Sequence, residues 1–160
     1  MLLALDSQII VKGKNKTQIL PINGFFTNYR KTKLKKGQFI HSIRIPFLKQ
    51  NIFKAYKISK RIDDDISSVC ASFNIEINKD KIKKIRIAYG GMSSTPKRAF
   101  NCEKVLVNSN LSYKTISKAK KLLEKDFKPI TDTRASQNYR MEVAKNLLEK
   151  CFLEVKQKKI

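Results

Sequence analysis

Residues 69–77 alternate apolar and polar side chains, and this pattern constrains the fold more than any other stretch of the chain. The apolar positions of the run are Val69, Ala71, Phe73, Ile75 and Ile77. A period of two is the signature of a β-strand with one buried face. Residues 78–80 then supply turn-forming side chains, and residues 85–89 alternate again on the way back. The two runs therefore predict an antiparallel hairpin.

The segments on either side of this hairpin extend the prediction to a whole domain. Phe53–Lys60 is extended and predicts a third strand of an antiparallel meander, which the Gly90-Gly91 pair ends. Beyond it the apolar spacing changes from two to about 3.6, which predicts helices. The predicted helices begin at Pro96, at Ser112 as an N-cap, and around Arg134–Ser136, and the third ends near Val155 in a basic tail. Its expected apolar stripe is Tyr139, Val143 and Leu147, widened by Ala144, Leu148 and Cys151.

Strands followed by helices indicate an α+β fold, here a three-stranded antiparallel sheet packed on about three helices. A separate β-rich unit precedes it. Residues 3–11 predict a strand, Thr17–Leu20 its hairpin partner, and Phe39–Ile45 a further strand that Pro46 ends. Phe25 and Phe26 are expected to be buried in the connection. We therefore predict two units, residues 1–46 and 50–157.

Two local oddities mark candidate functional positions. Three consecutive carboxylates, Asp63–Asp65, follow Lys60 and Arg61 and repel one another. A solvated turn is the commoner explanation of such a cluster. Lys57 shares a strand face with apolar neighbours, so it either reaches to water or meets an anion. In Phe39–Ile45, Ile40 is the one apolar residue expected on the polar face, which by itself is ordinary.

Cysteine and histidine usage excludes several kinds of chemistry. The three cysteines, Cys70, Cys102 and Cys151, are widely spaced and form no metal-ligand pattern, and we predict no metal site. They indicate reduced packing thiols in a cytoplasmic protein. His41, the single histidine, alternates with Ile43 as a strand residue, so no catalytic residue is predicted. The sequence also has neither a membrane-spanning run nor the features of a signal peptide.

The net charge of +22 raises the alternative of a nucleic-acid partner. Only seven of the 35 basic residues are arginine, the residue that reads guanine best. The lysines are scattered, so polyanion binding at low salt is expected but specific recognition of nucleic acid is not.

Four segments taken together carry a resemblance that covers nearly the whole chain. The segments are FFTNYRKTKLKKGQFIHSIRIP, KISKRIDDDISS, IRIAYGGMSSTPKRA and ITDTRASQNYRMEVAKNLL. They resemble the flavoprotein subunits of the molybdenum hydroxylases, a family that includes carbon monoxide dehydrogenase. The first, second and fourth segments favour the xanthine dehydrogenase branch, and so the FAD-binding small subunit of a bacterial enzyme. Residues 1–46 then correspond to the end of a FAD-binding domain, and residues 50–157 to the flavoprotein C-terminal domain.

The resemblance implies an oxidoreductase component. In this family a purine is hydroxylated at a molybdenum cofactor, 2Fe-2S clusters carry the electrons to FAD, and NAD+ accepts a hydride. Molybdenum and the clusters lie on partner chains or other domains, among them a molybdenum-binding large subunit. The expected protein contribution at the flavin is positioning and electrostatic tuning.

The resemblance also assigns roles to five residues. Ile40 matches an aliphatic residue that packs against FAD, and Lys57 matches a lysine that contacts the cofactor. Arg61 and Asp64 fall in a loop that borders the flavin where nicotinamide approaches, and Tyr29 lines the same approach. Gly90, Gly91 and residues 131–136 match structural positions.

One departure from the family pattern limits these assignments. Relatives hold the FAD diphosphate with glycine-rich loops upstream of the region matched here, whereas this chain has five glycines and no such cluster. We therefore expect a C-terminal portion of a longer subunit, inactive alone. The competing interpretation is a non-enzymatic module that docks on a partner subunit; a basic nucleic-acid-binding domain is the more remote alternative.

Overall fold

Strands fill the first part of the chain and helices the second, so the predicted α+β class is confirmed. The computed structural model describes residues 1–48 and 50–157. Its strands are β1 Gln8–Lys12, β2 Thr17–Pro21, β3 Phe26–Asn28, β4 Lys31–Thr32, β5 Phe39–Arg44, β6 Ile52–Ile58, β7 Val69–Asn78, β8 Lys81–Gly90 and β9 Lys97–Arg98. Its helices are α1 Phe100–Leu106, α2 Tyr113–Asp126 and α3 Gln137–Gln157.

The larger sheet has the order β6-β7-β8-β9, and each neighbouring pair is antiparallel. The three predicted strands are present, and the two-residue β9 adds a fourth at the β8 edge. One face carries Phe73, Ile75 and Ile87, which are fully buried against the three helices. The apolar and polar residues of β7 and β8 therefore alternate because one face of the sheet packs against a layer of helices.

The start of α1 differs from the prediction. Pro96 does not open it, because Lys97 and Arg98 pair with β8 first, and the helix begins at Phe100. Ala99, the residue before it, has no side chain that can cap the helix. Asp126 at the end of α2 supplies the cap instead: its carboxylate accepts the backbone N–H groups of residues 101 and 102, each at 3.0 Å. The predicted cap of α2 by Ser112 is confirmed.

The apolar stripe predicted for α3 is partly wrong. Tyr139 is 49% exposed and Val143 is half-buried, whereas Arg140, which was not expected there, is buried. The other predicted positions, Leu147, Ala144, Leu148 and Cys151, are buried as expected. The buried face is Arg140, Ala144, Leu147, Leu148, Cys151, Phe152 and Val155. A charged residue near the helix start thus belongs to the inner face, which apolar periodicity alone does not reveal. Residues 158–160 of the predicted tail lie outside the described residues.

The N-terminal unit contains a second sheet, with the order β2-β1-β5. The predicted hairpin of β1 and β2 is confirmed, but residues 2–6 form turns rather than the start of the strand. Those turns place Leu3 and Ala4 in a second core with Ile9, Val11, Ile22 and Phe25, whereas Phe26 is 40% exposed, contrary to expectation.

This second core closes against the face of the larger sheet that points away from the helices. Ala88 of β8 is part of it, and Phe53 of β6 packs against it. Asn74 donates from its side-chain amide to the Ala4 carbonyl at 3.1 Å, and Arg86 pairs with Asp6. The two predicted units are therefore joined by a shared core and by polar contacts.

The expected faces of β5 are corrected by a β-bulge. In the register with β1, Ile43 lies opposite Ile9 and Ile40 lies opposite Val11, so one extra residue, His41, is accommodated between them. Directly paired residues share a sheet face. Ile40 and Ile43 therefore extend the same apolar face, instead of pointing to opposite sides as strict alternation predicts.

Candidate functional site

The acidic triplet lies in a loop of residues 59–68 that links β6 to β7. Asp65 accepts the backbone N–H of Arg61 at 3.0 Å, and Ser59 Oγ donates to the Arg61 carbonyl at 2.7 Å. The hydrogen bond from Arg61 lowers the pKa of the Asp65 carboxyl. Asp64 adopts a left-handed conformation with φ 49°. Asp65 thus has a structural part in the turn, and Asp64 is exposed on the loop.

The loop is attached to the segment that precedes α3. Lys60 Nζ donates to the Thr133 carbonyl at 2.8 Å, and Ser68 Oγ donates to the Arg134 carbonyl at 3.4 Å. Between them is a cleft of about 490 Å³ whose lining residues are Lys60, Arg61, Asp64, Asp65, Ile66, Thr133 and Arg134. The structure therefore places Arg61 and Asp64, two of the predicted site residues, in one cleft.

Arg140 is the buried centre that positions both segments. Its Nη1 group donates to the carbonyl oxygens of Ser68 and Gly91, and Nη2 donates to Asp132 at 2.7 Å. The residue is 3% exposed. One side chain of α3 thereby joins the start of β7, the end of β8 and the loop before its own helix. Breaking a buried charged pair of this kind is costly because the remaining charge stays buried.

Asp132 completes this centre. Its Oδ1 atom accepts the backbone N–H groups of Arg134 at 2.8 Å and Ala135 at 3.1 Å, in addition to the bond from Arg140. These bonds, that from the Arg134 amide first, lower the pKa of the carboxyl to about 2. The string predicted to be structural, residues 131–136, does form a turn and a helix start. Sequence periodicity missed Asp132 and Arg140 themselves, although both belong to the TDTRASQNYR string.

Tyr29 lies in a second cleft that adjoins the first. This cleft, of about 500 Å³, shares Ile66 and Arg134 with the first. Its other lining residues include Gly91, Ser93, Ser94, Lys128, Ile130 and Asp132. Tyr29 is 65% exposed at the turn between β3 and β4. Tyr29 therefore lies in a cleft that adjoins the cleft of Arg61 and Asp64, and basic side chains line both clefts.

Lys57 occupies a different position, on the sheet face shared with the N-terminal unit. It lies opposite Cys70, and Cys70 lies opposite Gly90, so the three residues form a row across β6, β7 and β8. Cys70 and Gly90 also floor a largely apolar cavity of about 410 Å³. Its remaining walls are Met1, Leu2, Leu3, Ile22, Phe26, Ala88, Tyr89 and Pro96. An exposed ammonium group thus stands one strand away from a cavity with a floor of small residues.

Ile40 lies apart from these cavities. It is 44% exposed on β5, the edge strand of the smaller sheet, and lines none of the clefts formed by residues 1–48 and 50–157 that are described above. The five predicted site residues therefore fall into three places. The structure places Tyr29 in a cleft that adjoins the cleft of Arg61 and Asp64, but places Lys57 and Ile40 separately.

Residues 1–48 and 50–157 contain no cluster of three histidine, cysteine or acidic side chains that could hold a metal ion. Burial raises the pKa of the Cys151 thiol to about 12, and Cys102 is buried with its pKa raised further. No described helix is both long enough and apolar enough to cross a membrane.

Comparison with known proteins identifies the class to which this fold belongs. The structure of carbon monoxide dehydrogenase from Hydrogenophaga pseudoflava superposes with a TM-score of 0.87 at 20% identity. The match covers 93% of this chain and 52% of that one. At this identity the likeness shows the fold alone, which is that of a chain of this carbon monoxide dehydrogenase.

Sequence families then place the chain more closely. Residues 54–155 match the CO dehydrogenase flavoprotein C-terminal domain, and residues 1–48 match the FAD binding domain in molybdopterin dehydrogenase. The chain belongs to the family of the FAD-binding subunits of molybdenum hydroxylases. The resemblance expected from the four segments is confirmed.

Two full-length relatives show how much of such a subunit is matched. The glyceraldehyde dehydrogenase medium chain of Sulfolobus acidocaldarius is 28% identical over 97% of this chain and 55% of its own length. The xanthine dehydrogenase FAD-binding subunit of Escherichia coli O157:H7 is 23% identical over 95% of this chain and 53% of its own length. The chain thus spans about half the length of these relatives.

We expect Gly91→Ala to destabilise the protein strongly. At its φ of 80° an added Cβ would collide with the Ser68 carbonyl oxygen and stand 3.0 Å from Nη1 of Arg140. Gly37 is the matched control: its φ is 78°, but a Cβ there would meet nothing within 4 Å. Thermal unfolding should show a loss of about 2 kcal/mol or more for Gly91→Ala and about 1 kcal/mol for Gly37→Ala. Equal losses would show that backbone strain, and not the contact with Ser68, explains the glycine.

We expect Asp132 to contribute to acid unfolding. Its pKa in the folded protein is below the ordinary value of 3.8, so its contribution is complete above about pH 4 and is lost as pH falls toward 2. Urea unfolding of Asp132→Asn across this range should show a shallower fall in stability than the wild type. Asp63→Asn, at an exposed carboxylate of the loop, should follow the wild-type slope. Parallel slopes for Asp132→Asn and wild type would refute the assignment.

Proposed function

We propose that this chain provides the part of a molybdenum hydroxylase FAD-binding subunit that borders the flavin ring. In this proposal residues 1–46 complete a FAD-binding domain, and residues 50–157 form the domain that covers the ring. The row of Lys57, Cys70 and Gly90 beside an apolar cavity carries the proposal. A flat ring system needs a floor of small residues, and its polar end is tuned by a nearby charge.

The described residues fit the ring end of FAD better than the diphosphate end. A Cβ added at Gly90 would only touch the Cys70 side chain at 3.7 Å, so the floor is open, and Lys57 is exposed at its margin. Gly91, by contrast, is closely packed against Ser68 and does not offer the free backbone amides that hold phosphates. Other residues must therefore bind the diphosphate. We propose that those residues belong to the half of the subunit that this chain does not match.

The flavin would supply the redox chemistry when bound, and the residues of this chain would bind and orient its ring. We propose that the region bordered by Tyr29, Arg61 and Asp64 receives the electron acceptor, with NAD+ as the acceptor. A carboxylate at Asp64 favours a cationic nicotinamide ring, and the basic groups of Lys128 and Arg134 suit the phosphates of a dinucleotide. Ile40 is proposed to pack against FAD from the edge of the smaller sheet.

The purine substrate is the finer part of the proposal. The YRKT, DDDIS and TDTRASQNYR strings favour the xanthine dehydrogenase branch, and one of the two full-length relatives compared above is named as such a subunit. The other is named as a glyceraldehyde dehydrogenase chain, so the substrate must be determined by assay. In either case we propose a cytoplasmic complex with a molybdenum-binding large subunit and 2Fe-2S clusters held elsewhere. A docking module that never binds flavin is the competing hypothesis.

Lys57→Ala should weaken FAD binding by about tenfold in the subunit assembled with its other FAD-binding half, because a charged hydrogen-bond donor is removed. Equilibrium dialysis followed by flavin absorbance measures this. Lys84→Ala, at an exposed lysine of β8 on the same sheet, is the control and should leave the affinity unchanged. Unchanged flavin affinity in Lys57→Ala would remove Lys57 from the site.

Asp64→Asn should lower the rate of NAD+ reduction more than the rate of purine oxidation with an artificial electron acceptor. The reason is that the carboxylate is proposed to act on the nicotinamide and not on the purine reaction at molybdenum. Steady-state assays of the assembled enzyme with each acceptor separate the two rates, with Asp63→Asn as the matched control. Equal loss in both assays would place Asp64 in folding instead.

A further inference from the structure

The outward face of α2 carries four lysines that lie in one row. The helix buries Ile116, Ala119 and Leu123 in the core between the helices and the larger sheet. At about 100° per residue, the four lysines fall within an arc of about 60° on the opposite side of the helix. All four are exposed. We call this row the lysine stripe, and it consists of Lys114, Lys118, Lys121 and Lys125.

The carboxylates near the lysine stripe are engaged elsewhere. Glu124 of α2 pairs with Lys145 of α3 at 2.7 Å, and the buried Asp126 caps α1. Glu149 of α3 pairs with Lys120, which lies on the side of α2 that faces α3. Within residues 1–48 and 50–157, no ion pair involves a lysine of the stripe. The stripe is therefore a row of positive charge that this part of the chain does not neutralise.

The lysine stripe is unfavourable for α2 by itself. Lys114 and Lys118 are four residues apart, as are Lys121 and Lys125, and like charges at this spacing destabilise a helix. Lys114 also lies in the first turn, where the helix dipole favours an acidic residue, and the first turn of α2 has none. Negative charges placed along the stripe would remove this repulsion. The arrangement therefore favours an anionic partner.

We propose that the lysine stripe is a docking surface for an acidic protein segment, namely a helix that presents carboxylates at the same spacing. Such a helix would place its carboxylates opposite the four ammonium groups along about 16 Å of α2. A groove of about 270 Å³ between α2 and α3 adjoins the stripe, since Lys121 lines it together with Tyr113, which is 75% exposed. The groove provides room for side chains of the docked helix. This inference does not depend on the flavin role.

Nucleic acids and membranes fit the lysine stripe less well. Helix α2 has no arginine, the residue whose planar group binds phosphate through two hydrogen bonds. Its single aromatic residue, Tyr113, offers one ring on which a base could stack. The stripe itself contains no apolar side chain that could enter a bilayer. Lysine is a compact point charge on a flexible stem, which suits single ion pairs with carboxylates.

The test measures the binding of two synthetic helical peptides to the 160-residue chain by fluorescence anisotropy at low ionic strength. One peptide carries four glutamates at the spacing of the lysine stripe, and the other has the same composition with its glutamates distributed around the helix. We expect the first peptide to bind about tenfold more tightly, because four exposed ion pairs form together. High salt should remove most of this preference. Equal affinities of the two peptides at low salt would overturn the proposal.

Two quadruple variants separate the lysine stripe from the net charge. Replacing all four stripe lysines with glutamine should weaken binding of the first peptide about tenfold. Thermal unfolding should change little, because glutamine is a good helix former. The control replaces four exposed lysines of the N-terminal unit with glutamine and removes the same charge: Lys14, Lys16, Lys35 and Lys36. It should change Kd less than about twofold. Equal losses in the two variants would show that net charge alone acts, and would overturn the proposal.

Other polyanions identify the kind of partner. Duplex DNA and vesicles that contain phosphatidylserine are titrated with the wild-type chain and with the glutamine variant of the lysine stripe. We expect the four substitutions to weaken binding of the first peptide more than binding of either polyanion, which the remaining basic residues also attract. A larger loss for DNA or for the vesicles would assign the stripe to that polyanion, and the proposal of an acidic protein segment would be wrong.

Discussion

The buried guanidinium of Arg140 is the interaction on which the arrangement of the candidate site depends. It connects the Ser68 and Gly91 carbonyl groups with the Asp132 carboxylate, and so holds two strand ends and one loop against α3. A buried cation requires such partners, because an unpaired charge in the interior costs several kcal/mol. The same arrangement requires glycine at position 91, because a Cβ added there would collide with the Ser68 carbonyl oxygen.

The clefts proposed for the acceptor are a consequence of this centre. Lys60 of the loop of residues 59–68 donates to the Thr133 carbonyl in the segment that Asp132 and Arg140 hold. The loop thereby places Arg61 and Asp64 in a cleft that adjoins the cleft of Tyr29. The region proposed for the flavin ring is formed by the sheet itself, through the row that includes Lys57. The larger sheet thus contributes to both regions. The loop between β6 and β7 lies at one end of the sheet, and the cavity lies on the face that points away from the helices.

The sequence predicted the larger domain well because the apolar side chains repeat every two residues in strands and about every 3.6 residues in helices, and these two repeats are easily distinguished. Alternation in β7 and β8 reflects one buried face, and the serine at position 112 caps α2 through a local hydrogen bond. The prediction from the sequence was wrong where a single residue changes the strand register and where a polar side chain is buried. His41 in the bulge moves Ile40 to another face, and Arg140 is buried by partners that are 49 and 72 residues away in the chain.

The sequence by itself determined the α+β class, the strand pairs joined by short turns and the family, because these depend on local periodicity and on strings that stay intact along the chain. Only the tertiary structure decided which candidate residues lie together. It places Tyr29 in a cleft next to that of Arg61 and Asp64, sets Lys57 beside a separate cavity, and leaves Ile40 44% exposed on an edge strand. The physical reason is that these positions depend on long-range pairing and on one buried charge, neither of which leaves a periodic signal in the sequence.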